Sequence, residues 1–305
     1  MPAGSSAGRW RGGSPSSICR WPAPAPEAPP ERRARRAMTD SIFTRDGTAW
    51  VPTSAARGPW GETLHGGAPA ALLCHALEEG ADGRFPLARL TLDLFRPVPA
   101  APLEVSVRTL RAGRRLLVQE AILTSGGTEL VRATSVHGDQ IQLPETVQPP
   151  PSPLPSPDGI EEVSLAASVR AGRGESFAGQ DGLHFRLMVR PIEGLGAVGH
   201  GTAWLRLPLD LAPGIPLTPT THLAACSDFA NGLGQRRIAV EGGTVGFINA
   251  DISLHLLRAP AANRIGMASR NESHAGGRGI VSAECWQEDG LVARVTQTVL
   301  VMPAT

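Results

Sequence analysis

The most constraining feature of this chain is that its order of strands and turns occurs twice. In the first copy, Arg89 to Pro97 (RLTLDLFRP) alternates as a strand, with Leu90, Leu92 and Leu94 on one face. Leu103 to Leu110 alternates again and ends in a turn at Ala112-Gly113. Leu116 to Thr124 and Leu130 to His137 follow, joined by Ser125-Gly126-Gly127. In the second copy, Asn249 to Arg258 is again a strand ending in Arg, and Arg264 to Ser269 follows. After Gly276-Gly277 come Gly279 to Gln287, an Asp289-Gly290 turn and Leu291 to Val301. The displacement is roughly 162 residues. Two units of that size mean a duplicated domain, because a solenoid repeats at shorter periods and more often.

Each copy places one helix ahead of these strands. In the first, Leu64-His65-Gly66-Gly67 leads into APAALLCHALEEG, with Pro69 suited to a first helical turn and Gly80 to the stop. It is apolar on nearly all sides from Ala70 to Leu77, which predicts burial all round. In the second, Thr218 caps a helix from Pro219 through THLAACSDFAN to Gly232. Further strands are expected around Leu183 to Val189 and Gly201 to Leu207. The class that follows is α+β, each half a curved antiparallel sheet wrapped around one apolar helix.

Two stretches fall outside the repeat. Residues 1–37 are rich in Pro, Gly, Ser, Ala and Arg without apolar periodicity, and read as a disordered leader or as sequence ahead of a true start at Met38. Pro144 to Asp158 (PETVQPPPSPLPSPD) denies backbone donors to a sheet and favours an extended spacer. The expected organisation is therefore an N-terminal domain over 38–143, a Pro-rich linker over 144–162 and a C-terminal domain over 163–305.

Composition narrows the chemistry. Net charge is +1, so no global field calls for nucleic acid or an anionic membrane as partner. Every Lys/Arg position is Arg and there is no Tyr, which excludes a Lys Schiff base, a P-loop lysine and a Tyr acid or nucleophile. Cys19, Cys74, Cys226 and Cys285 lie far apart, with no C-x-x-C pair for zinc and no disulfide framework. No run approaches the length of a membrane span, and a cytoplasmic protein with free thiols is expected. There is no G-x-S-x-G elbow, no H-x-x-x-H spacing and no dinucleotide fingerprint, so neither metal nor organic cofactor is expected.

HGGAPAALLCHALEE, LTLDLFRPVPAAPLEVSVRTLRAGR, and CSDFANGLG through VARVTQTVLV resemble the double-hotdog acyl-CoA thioesterases, which include bacterial acyl-CoA thioesterase II. The resemblance runs from about Trp60 to Val301 and implies a tandem hotdog fold acting on acyl-CoA. In that family an Asp on the second helix, a Thr on the following strand and a Gln near the C-terminus hold and activate a water. By position these fall on Asp228, Asn249 and Gln297, so Asn replaces the family's Thr. The family also uses the region of His65-Gly66-Gly67 to hold the acyl carbonyl, which makes Gly67 and Ala68 donor candidates.

The residue types suit these roles. An Asp in an apolar helical stretch is shielded from water and can serve as general base, though Asp228 could equally face solvent or bond Asn231. Gln297 and Asn249 can orient water without adding charge, or lie on an exposed strand face. Asp251 shares the strand face of Asn249 and is either a second carboxylate or a structural acceptor. Free N–H groups at a helix start favour a developing oxyanion, but His65-Gly66-Gly67 also reads as a plain tight turn. Hydrolysis of acyl-CoA by an Asp-activated water is the leading expectation. A non-catalytic acyl-CoA or lipid binder, kept open by the Asn at the Thr position, is the alternative. Either a monomer or a homo-oligomer is compatible with two hotdogs in one chain.

Overall fold

In the computed structural model, which describes residues 40–59, 62–141, 143–144, 147, 150–166, 181–195, 199–241 and 243–302, the two copies of the repeat share one antiparallel sheet. The expected leader, residues 1–37, lies outside the described residues. The first half contains the hairpin β1 (Phe43–Asp46) and β2 (Ala49–Pro52), helix α1 (Gly67–Ala81), and β3 (Leu87–Leu94), β4 (Glu104–Ala112), β5 (Leu116–Ser125) and β6 (Thr128–Gly138). The second half starts with β7 (Val163–Ser164), α2 (Leu183–Arg186), β8 (Met188–Glu193), β9 (His200–Arg206), β10 (Asp210–Ala212) and β11 (Ile215–Pro216). Then come α3 (Pro219–Ser227), α4 (Phe229–Leu233), the small strands β12 (Ile238–Val240), β13 (Gly243–Val245) and β14 (Phe247–Asn249), and β15 (Asp251–Leu256). The chain closes with β16 (Ile265–His274), β17 (Arg278–Gln287) and β18 (Gly290–Val301).

The sheet runs β4-β5-β6-β3-β15-β18-β17-β16-β9-β8-β7, with β14 also paired to β18. Its halves meet at β3 and β15, where Thr91 pairs with Ser253, a residue 162 positions later. Leu90 pairs with Leu254 and Leu92 with Ile252, so exchanging the halves maps this register onto itself. A pseudo-twofold axis therefore passes between Thr91 and Ser253. This is the tandem hotdog, an α+β fold, that the repeat foretold.

Both helices lie on the inner face of the sheet and pack on each other. α1 is buried along Gly67 to Cys74 and again at Leu77. It runs through Gly80 rather than stopping there, and ends at Asp82 in the left-handed conformation (φ 50°), which Asp tolerates better than most residues. A Cβ at Gly80 would meet the Gln119 amide at 2.7 Å, so this glycine serves packing and not termination. α3 begins at Pro219 under a Thr218 cap, whose side chain accepts from the Thr221 N–H at 3.1 Å. The helix expected to run on to Gly232 is interrupted at Asp228. Leu183–Arg186, expected as strand, is the helical turn α2, tied by Arg186 to Asp181 at 2.7 Å.

The described part of the Pro-rich linker is fastened to the second half. Trp204 Nε1 donates to the Pro155 carbonyl at 2.9 Å, and Arg190 donates to the carbonyls of Pro157 and Ile160.

Beneath α3, His222 is wholly buried and its Nε2 accepts the Leu207 N–H at 3.0 Å. Burial, and then the charge of Arg206, push His222 down to about 4. Unfolding releases it to its ordinary value of 6.5, so the unfolded chain binds more protons between those values. This contribution is complete above pH 6.5 and is lost as pH falls towards 4, by about 3 kcal/mol. Urea titrations should show that loss in the wild type. His222→Gln, which keeps an acceptor but does not titrate, should flatten it.

Candidate active site

The break between α3 and α4 sets Asp228 against the N-terminus of α1. Its residue exposure is only 8%, and a Cβ on Gly66 would fall 2.8 Å from both carboxylate oxygens. Gly66 is thus the residue that lets the carboxylate lie on the helix start, where the dipole favours negative charge. Gly67 allows the same closeness between the helices, since its Cβ would meet the Ala225 carbonyl at 2.4 Å.

Each oxygen of Asp228 has its own side-chain partner. Asn249 Nδ2 donates to Oδ1 at 2.5 Å, and Nδ1 of His65 lies 2.7 Å from Oδ2. The His65 ring is itself held by stacking on Phe229, with centroids 4.1 Å apart. His65 Nδ1 is also 3.2 Å from the Gly67 N–H. One ring nitrogen cannot both donate to a carboxylate and accept from an amide. The shorter contact, to an anionic acceptor, is the stronger of the two. It places the proton on Nδ1 and leaves the Gly67 N–H for another acceptor. Ala68 is different, because its N–H already donates to the His65 carbonyl at 2.9 Å.

Asn249 is the second link of a relay. Asn231 Nδ2 donates to Asn249 Oδ1 at 2.7 Å and to the Phe247 carbonyl at 3.0 Å, and Asn249 in turn donates to Asp228. Gln297 is 1% exposed, and its Nε2 donates to the carbonyl of Ser227, next to Asp228, at 3.0 Å. Its Oε1 is buried without a partner, an acceptor ready for a water or a substrate donor.

The structure thus brings Asp228, Asn249, Gln297, His65, Gly66 and Gly67 together. Asp251 is set apart, since its Oδ1 accepts the Thr298 N–H at 2.6 Å and it pairs across the sheet with Asp93. That makes it a structural acceptor. Phe229 is a member that the sequence does not single out, and Asn231, which the sequence offers as a partner for Asp228, bonds Asn249 instead. Their only signal is proximity to Asp228 on a helix whose interruption the sequence does not announce. Among the described residues, no cluster of three or more His, Cys, Asp or Glu could hold a metal ion, and no helix is long and apolar enough to cross a membrane.

The sequence profile of the acyl-CoA thioesterase N-terminal domain matches residues 56–138, and that of the C-terminal domain matches 144–301. No curated protein matches the chain. Solved structures with the same fold include a hot dog fold protein of unknown function from Alicyclobacillus acidocaldarius, at 18% identity and TM-score 0.63, covering 87% of this chain and 98% of that one. A tesB protein of Mycobacterium avium subspecies paratuberculosis is similar at 19% identity and TM-score 0.60, covering 86% and 96%. The acyl-CoA thioesterase II TesB2 of Mycobacterium marinum is similar at 17% identity and TM-score 0.58, covering 87% and 96%.

Gly67→Ala should force the helices apart and destabilise the protein by about 1–3 kcal/mol. Gly232→Ala, on α4 with nothing within 4 Å of the new methyl, should instead stabilise by about 0.4–1 kcal/mol. Urea midpoints of the two variants check the contrast, and equal shifts would remove the packing role assigned to Gly67.

Proposed function

We propose that this chain, which belongs to the acyl-CoA thioesterase family, hydrolyses acyl-CoA with a water activated by Asp228. The observation that carries this reading is a buried carboxylate held on one oxygen by the Asn249 amide and on the other by the His65 ring, with Gln297, whose Oε1 has no partner, bonded to the neighbouring Ser227 carbonyl. A carboxylate so held keeps its orientation while retaining lone pairs for a water proton.

The water sits between Asp228 and Gln297 Oε1. As its oxygen forms a bond to the thioester carbon, one of its protons passes to Asp228. The carbonyl oxygen becomes an oxyanion and accepts the Gly67 N–H at the start of α1, where the helix dipole reinforces the donor. Collapse re-forms the carbonyl and breaks the C–S bond, and the proton on Asp228 moves to the sulfur. The products are free acid and coenzyme A thiol, and the carboxylate is restored.

Asn249 fits this scheme although the family has Thr there. Its amide fixes the rotation of Asp228 from one side, as His65 does from the other. Both are positioning residues, and Asp228 is the catalytic one.

Asp228→Asn preserves the size of the side chain and an acceptor for Asn249 but removes the base. Thiol release from acyl-CoAs of graded length should fall roughly 10²- to 10⁴-fold in this variant, with KM little changed. Retention of wild-type turnover would falsify the assignment of Asp228. Saturable acyl-CoA binding by a wild type that turns over no chain length would identify a binding protein instead.

A further inference from the structure

The outer face of the sheet, turned away from the helices, is covered only in part. A Cβ on Gly201 would meet the Leu233 carbonyl at 2.3 Å, so Gly201 faces the helices and Trp204, on the same strand, faces outward. The Pro-rich segment crosses this outer side. The Pro155 carbonyl accepts from Trp204 Nε1, and Leu154 lies 2.5 Å from where a Cβ on the paired Gly266 would stand. At the centre of the sheet the same face is open, with Asp93, His255, Arg294, Thr296 and Thr298 all exposed.

Along the junction of the halves Thr91 stands opposite Ser253, and Ser253 opposite Thr296, which makes a row of short hydroxyl side chains. To one side of this row Asp93 stands directly opposite Asp251; to the other, Arg89 stands directly opposite His255. Carboxylates so paired repel, and a basic pair gains nothing from facing its like. Among the described residues Arg89, Asp93 and His255 take part in no ion pair, and Arg132 beside Asp93 is already held by Glu129 at 2.8 Å. Beyond each pair lies an exposed apolar side chain. Ile248, which pairs with Leu300 on β18 past the acidic end, is 41% exposed, and Leu257, two positions after His255 at the basic end, is 60% exposed. Such a face is complementary to itself when turned end for end.

We propose that the centre of this face binds a second copy of the chain, sheet against sheet, about a twofold axis that crosses the strands along Thr91, Ser253 and Thr296. Rotation about that axis keeps each strand over its own counterpart and exchanges the two ends. Asp93 then faces Arg89 of the second copy, Asp251 faces its His255, and Ile248 meets its Leu257, each contact occurring twice. The hydroxyl side chains on the axis are short enough for the sheets to approach to about 10 Å, and sheet twist turns one against the other by about 30°. The open face extends from β6 to β17 across the strands and about eight residues along them, roughly 650 Å² per copy. Roughly 1,300 Å² in total lies within the range of stable, specific interfaces. This surface is on the far side of the sheet from Asp228, so the association stands whatever reaction the chain catalyses.

Sedimentation velocity on the full chain tests this with the wild type, Arg89→Glu and Asp93→Arg. The wild type should be a dimer at roughly 100 μM and should dissociate more readily in 1 M salt, where screening shortens to about 3 Å. Each variant sets like charge against like at both contacts and should raise the dimer Kd roughly a hundredfold. An equimolar mixture of the two variants should associate again, because each supplies the charge that the other needs. Neither substitution should lower the thermal midpoint of the dilute monomer, since each relieves a pair of like groups within its own sheet. If either variant does not fold, Leu257→Ser should weaken association about tenfold without any change of charge. A wild type that stays monomeric at that concentration overturns the proposal. So does a dimer that survives both single substitutions and 1 M salt, which would assemble through another face. Two monomeric variants whose mixture does not associate overturn the twofold arrangement.

Discussion

Everything distinctive about the site depends on how closely two buried helices approach each other. Gly67 lies against the Ala225 carbonyl, and Gly66 lies against the Asp228 carboxylate. A side chain at either place would push α1 off the second helix, and the carboxylate would lose its seat at the helix start. Protein interiors are packed too densely to absorb such a displacement elsewhere. The two glycines therefore act first as spacers between helices. Any role of the Gly67 N–H towards substrate follows from the same close approach.

The pseudo-twofold axis shows how far the halves have diverged. Displaced by 162 positions, Gln297 corresponds to Ser135, Asn249 to Leu87 and Asn271 to Thr109. The pairing supports this correspondence, because Asn249 faces Val299 as Leu87 faces His137. In the first half Ser135 bonds the His137 ring at 3.1 Å, so the hydroxyl is engaged within its own strand. Leu87 brings no polar atom where the second half has an amide. Duplication within one chain permits this asymmetry, which an assembly of identical hotdogs cannot adopt. The start of α1 holds the Asp228 carboxylate with no cap side chain between them, whereas at the start of α3 the Thr218 cap hydroxyl donates to Glu78 of α1.

How much of this was legible in the sequence follows from which signals are local. Strand alternation and Gly turns reflect a two-residue period and local dihedral needs, so β3 to β6 and β15 to β18 were readable, as were the two helices. The hairpin β1–β2 was not, since Phe43–Asp46 and Ala49–Pro52 are too short to display a period. Leu183–Arg186 is apolar enough to resemble a strand, and contacts invisible in the sequence, such as Asp181–Arg186 and Leu183 N–H to the Arg57 carbonyl, hold it as a helical turn. Gly80 misled in the opposite sense, since a glycine forced by a tertiary neighbour resembles a glycine that ends a helix. Asp228, Asn249 and Gln297 were located through family resemblance. Their partners His65, Asn231 and Ser227 emerge only from contacts between elements far apart in the chain.

The replacement of Thr by Asn at position 249 illustrates the same dependence on tertiary context. A threonine hydroxyl is short and carries a single proton to donate, whereas the longer Asn amide reaches Asp228 with Nδ2 and still offers Oδ1. That second function is useful only because Asn231 stands one helical turn beyond Asp228 and donates to it. The two amides form a directional chain ending on the carboxylate, and Asn231 is anchored in turn by the Phe247 carbonyl. With every donor in this chain committed, Asp228 has little freedom to rotate. The substitution therefore exchanges a short hydroxyl for an amide that stiffens Asp228, the base of the proposed reaction. In the proposed reaction, contact with the water would fall to Gln297, whose carbonyl oxygen remains without a partner.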